Sequence, residues 1–101
     1  MARDPHIYGK VESKTGLKNV FQEIRRDVKA AKSRPALTEL YKRAGYLITL
    51  THAPSWGEKF GKGAATLRVA AKKQFATTAR QINRRAQQIG TDPDYDEKWG
   101  R

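Results

Sequence analysis

Apolar side chains recur along this chain at steps of three and four rather than two, the period of helices that each bury one face. Leu17, Val20, Phe21, Ile24 and Val28 make the first stripe. At 100° per residue they fall within an arc of about 100°. They predict a helix over about residues 16–32, with Thr15 or Ser13 accepting a backbone N–H as N-cap. Ser33-Arg34-Pro35 opens a second helix, because serine caps well and proline in a first turn loses no helical hydrogen bond. Its stripe is Leu37, Leu40, Tyr41, Ala44, Leu47, Ile48 and Thr51, over residues 34–52. Gly45 interrupts that helix at a cost of about 1 kcal/mol relative to alanine. Residues 46–52 also have high strand propensity, so a break at Gly45 and a short strand is the rival reading. The stripe keeps its phase through the glycine, which favours one helix.

Residues 52–63 hold Pro54, Gly57, Gly61 and Gly63 and read as a connection. A third helix follows over about 64–89, with Leu67, Ala71, Phe75, Thr78, Ile82, Ala86 and Ile89 on its apolar face. Gly90 is placed for a left-handed C-cap and Asp92-Pro93 for the stop. The expected fold class is therefore all-α, a small three-helix domain with one core. Residues 1–15 read as an irregular, flexible arm, 16–90 as the single helical domain, and 91–101 as an acidic tail expected to be a disordered end. The heptad-like spacing from Ala71 onward also allows a homo-oligomer through the third helix.

Size sharpens this picture. A chain of 101 residues supports one core, and 13 alanines permit close helix contacts while leaving no deep ligand cavity. The absence of cysteine excludes disulfides and thiolate metal sites. No run approaches the ~20 apolar residues of a membrane span, and the first residues lack the apolar run of a signal peptide. The expected location is cytoplasmic, without membrane contact.

Charge points toward a partner. The net charge is +11, and from Lys59 to Thr91 there is no acidic residue among eight basic ones. Those eight are Lys59, Lys62, Arg68, Lys72, Lys73, Arg80, Arg84 and Arg85. On a helical wheel Lys72, Lys73, Arg80 and Arg84 gather opposite the apolar face, across about 120°. A helix made basic for solubility alone would gain from mixed i,i+4 pairs, whereas like charges cost a few tenths of a kcal/mol per pair. The one-signed face therefore predicts a polyanionic partner, gripped through phosphates. In the first helix Lys14, Lys18, Arg25, Lys29 and Lys32 take one flank, and Glu23 and Asp27 the other. Arg25 and Lys29 can thus extend the patch.

The chemistry-bearing motifs are weaker. Gly57-Glu58-Lys59-Phe60-Gly61-Lys62-Gly63 resembles a phosphate loop but is one residue short between glycines and lacks the Ser/Thr that holds magnesium. Trp56 and Phe60 could stack on bases, although such aromatics more often plug the end of a helical core. His6 and His52 have no second ligand at metal spacing. Asp92–Glu97 lacks the glycine and the final glutamate of a calcium loop. Leu40–Tyr46 resembles a helix-turn-helix turn, but the segment after it carries no basic residue. No nucleophile pairs with a base, so no enzyme, metal or cofactor is expected. The sequence reading is a small basic nucleic-acid-binding protein, for DNA or RNA, with weak sequence preference. The alternative is a helical adaptor for an acidic protein partner.

Overall fold

The computed structural model describes residues 14–52 and 61–99. They form three helices: α1 (Lys14–Ala30), α2 (Arg34–Thr51) and α3 (Gly63–Gln88). α3 is the longest and packs against both of the others. Residues 1–13 of the expected arm, with Trp56, Lys59 and Phe60, lie outside the described residues, while Lys14 and Thr15 belong to α1 rather than to the arm.

Each predicted stripe is the buried face of its helix. Leu17, Phe21, Ile24 and Val28 from α1 meet Leu37, Ala44 and Leu47 from α2 and Leu67, Phe75 and Ile82 from α3. Ala71, Ala79 and Ala86 are fully buried on α3. A methyl side chain at these points lets helix backbones approach closely, so alanine here is packing material rather than filler. Thr51 and Thr78 are also buried, and each donates its hydroxyl to a carbonyl of its own helix, Ile48 O at 2.6 Å and Gln74 O at 2.8 Å. Their polar groups are thereby satisfied inside an apolar layer. The stripe that could have joined two copies is taken up in this core.

The helix ends follow their local chemistry. Ser33 caps α2 through its side chain, accepting from Ala36 N at 3.4 Å, and Pro35 occupies the first turn. Gly90 has φ +79°, while Gly90 N donates to Gln87 O and Thr91 N to Ala86 O at 2.9 Å. That pair of bonds is a Schellman C-cap, which only a residue at ease with positive φ closes cheaply. α1 already includes Lys14, so Thr15 lies inside its first turn rather than capping it. α2 runs unbroken through Gly45, and residues 46–51 are helical rather than a strand.

The segment after α3 departs from the expected disordered end. Residues 92–99 have no regular secondary structure, yet they fold back over α2 and α3. Asn83 receives Tyr95 N on Oδ1 at 2.9 Å and donates Nδ2 to Tyr95 O at 2.8 Å. Tyr95 packs its ring on Tyr41 at 5.1 Å and shares a hydroxyl hydrogen bond with Thr38. Tyr41 donates its hydroxyl to Asp96 O at 2.9 Å. Trp99 ends the segment with its indole directly over Gly45, donating Nε1–H to Thr49 Oγ1 at 3.2 Å. Two aromatic residues, Tyr95 and Trp99, in a segment rich in acids carry no helical period, so periodicity was blind to this strap. Its apolar residues find their partners across the fold, not along the chain.

Candidate nucleic-acid interface

Two arginines of the basic run bridge helix ends. Arg85 donates Nε–H to Ala31 O, just past the end of α1, at 2.8 Å and pairs with Gln88. Arg68 donates Nε–H to Thr51 O, the last carbonyl of α2, at 2.7 Å. Helix C-termini leave carbonyls without intrahelical donors and favour cations. Both guanidiniums thus join one helix to the next, each with Nε–H committed. The wheel contains the reason: at 100° per residue, Arg68 and Arg85 both lie about 100° or more from every member of the outer ridge, at opposite edges of the buried face.

That ridge is narrower than the eight-residue run. Lys62, Lys73, Arg80 and Arg84 are exposed and fall within about 40° of one another around α3. Lys72 is exposed on the side toward α2 and the strap. Arg80 is the member with a carboxylate partner, since Glu97 of the strap accepts its Nε–H at 2.7 Å. Both side chains are largely exposed, so this is a screened surface pair of modest strength.

Arg25 and Lys29, from the basic flank of α1, face α3. Between the two helices lie adjoining recesses of about 430 and 320 Å³ that share Lys29 and Gln81. Their walls supply five cations, Arg25, Arg26, Lys29, Arg84 and Arg85, with amides from Gln22, Gln81 and Gln88. None of these lining residues is Asp or Glu. Arg25 is fixed in place by donating to Gln74 Oε1 at 2.8 Å and Thr78 Oγ1 at 3.2 Å. Partial burial lowers its pKa, yet a guanidinium remains charged at neutral pH. Arg85 is fixed by its bond to Ala31 O, so two arginines of the trough are held by the fold.

Sequence reading named Arg25, Lys29, Arg84 and Arg85 individually but not the groove that collects them, and it missed Arg26. At 100° per residue Arg26 falls midway between the basic flank of α1 and Glu23, so the wheel gave no reason to count it with Arg25 and Lys29.

Arg34 was also missed. It donates to Asp94 Oδ1 at 2.7 Å and to Asp92 O at 2.9 Å, and lies over the Tyr95 ring at 5.0 Å. The hydrogen bond to Asp94 raises the pKa of Arg34, and the same bond holds the Asp94 carboxyl below its usual range. Arg43 is buried and pairs with Glu39, one turn earlier on α2. Among the described residues no helix is long and apolar enough to cross a membrane. Comparison with family models, with curated proteins and with solved structures found no match to this chain.

Proposed function

We propose that this protein binds nucleic acid, DNA or RNA, by gripping its phosphate backbone along the α1–α3 trough and the outer ridge of α3. The observation that carries the reading is the trough itself, with five cations and no carboxylate among its lining residues. Like charges gathered this densely cost stability unless an anion relieves them. Lys29 and Arg84 supply exposed charge, while Arg25 and Arg85 present guanidiniums already oriented by neutral partners. Phosphate contacts fix position without reading sequence, so binding is of weak sequence preference. No catalytic step belongs to this reading, and we place the protein in the cytoplasm.

The competing reading, an acidic protein partner, draws support from Val69. It is a large apolar residue 55% exposed on the same outer side of α3, where a protein surface could cover it.

The test is fluorescence anisotropy with labelled duplex DNA, single-stranded DNA and RNA at two salt concentrations. For the parent, log K should fall linearly with log salt. Replacing Lys29 and Arg84 together by Gln removes two groups from the trough. The slope should fall by about 0.9 per lost contact on duplex DNA, or about 0.7 on a single strand. Arg80→Gln should change it less, because Glu97 already engages that guanidinium. A double variant that binds like the parent, with unchanged helical circular dichroism, would refute the reading.

A further inference from the structure

A second recess lies on the other side of the α3 ridge, between α3 and the strap. It has a volume of about 540 Å³, and Phe75 and Trp99 line it together with Ile48 and Ala76. The two rings stand edge to face, 5.9 Å apart at 63°. Lys72, Lys73 and Lys98 also line the space, and the one carboxylate in its lining is Glu97. Glu97 is already bound to Arg80 at 2.7 Å, so that pair is neutral and the three lysine charges are left over.

This combination narrows what can fill the space. Its size suits a small organic ligand, since such pockets run from ~300 to ~1,000 Å³. A purely apolar occupant would bring three ammonium groups together with nothing to neutralise them. Inorganic phosphate would answer the lysines and leave the aromatic wall wet. A flat ring carrying a phosphate meets both demands, because every nucleobase has a face to stack and its backbone supplies the anion. Lys73 also lines the neighbouring hollow with Gln74, the residue that receives Arg25 from the α1–α3 trough. A backbone lying in that trough therefore has a cationic path to the aromatic recess.

We infer that this recess takes one unstacked nucleotide of a single strand, its base against Trp99, which the buried Phe75 backs, and its phosphate among Lys72, Lys73 and Lys98. The inference rests on the nucleic-acid reading above and deepens it, since it selects single strands over duplex. A paired base cannot enter without being pulled from its stack. Apolar walls grip any base, which preserves weak sequence preference.

The test uses the full chain with Trp56→Phe, leaving Trp99 as its one tryptophan. A ten-nucleotide single strand should quench Trp99 emission saturably, whereas its duplex and inorganic phosphate should not. Ala76→Leu fills the recess from within and should abolish the quench. It should also weaken single-strand binding about tenfold, the scale of one lost stacked base, with duplex binding unchanged. Should the larger side chain disturb folding, Lys72→Gln with Lys98→Gln makes the same test from the exposed rim and should raise the single-strand Kd. Tight single-strand binding by anisotropy with no change in Trp99 emission, or with equal affinity in both variants, overturns the recess and leaves the trough standing. If no nucleic acid binds even at low salt, the functional reading falls and the recess with it.

Discussion

Gly45→Ala sets two effects of opposite sign against each other. In an open helix, alanine is the more stable residue by about 1 kcal/mol. At this position the new methyl would stand within the indole of Trp99, against Cδ2, Cε2 and Cε3. α2 cannot shift away, because Leu40, Ala44 and Leu47 fix it in the core. The indole must leave instead. Its ring contacts with Tyr41 and Phe75 contribute about 0.5–1.5 kcal/mol each, and its hydrogen bond to Thr49 about 1 kcal/mol. Together these come to roughly 2–4 kcal/mol, from which the regained freedom of the strap and the helix gain of alanine must be subtracted. The loss is bounded above by whatever free energy docks the strap, since the three helices can survive its release. A net destabilisation of about 1–2 kcal/mol remains. Urea unfolding in a Trp56→Phe background measures it. With m near 1–3 kcal/mol/M for small proteins, the midpoint should fall by about 0.3–2 M, with Trp99 emission red-shifted before global unfolding. A midpoint that rises while the emission stays unchanged would show that the indole is not seated on this glycine.

Phe75→Ala removes a fully buried ring that touches Tyr41 and Trp99, and should cost about 3–5 kcal/mol by denaturant titration. A loss under 1 kcal/mol would mean the core closes over the gap. The pH dependence of the strap follows from Asp94. Its pKa is held below the ordinary 3.8, so its contribution is present in full above that value and disappears as pH falls through the lowered one. Trp99 emission should therefore change on acidification below about pH 4, and Asp94→Asn should flatten part of that change. Identical acid profiles for the two proteins would remove Asp94 from the account.

The three helices were legible because each carries its own apolar stripe, and Gly90 announced its cap by residue type. Gly45 was legible as a helix interruption but not as a seat, since its reason lies 54 residues further on in Trp99. For the same cause the acidic ending read as a solvated tail. Tyr95 and Trp99 have no periodic neighbours, and a carboxylate's choice between water and Arg34 or Arg80 is made in three dimensions. The cationic run was legible as charge, while its division into helix-end donors and free groups depended on which carbonyls lay nearby. Arg68 and Arg85 would be separated from Arg84 by anyone who extended the wheel to the whole run.

The pairing of Glu97 with Arg80 sets a threshold on what can take hold of the outer ridge. An acidic peptide arriving at that guanidinium would exchange one carboxylate for another, with no gain in charge and with the strap set loose. A phosphodiester chain brings successive anions that reach Lys73 and Arg84 in the same event, so its advantage over the resident glutamate grows with every additional contact. On the phosphate-binding reading proposed above, Glu97 would thus serve as a resident decoy, displaced only by a ligand that brings more than one anion.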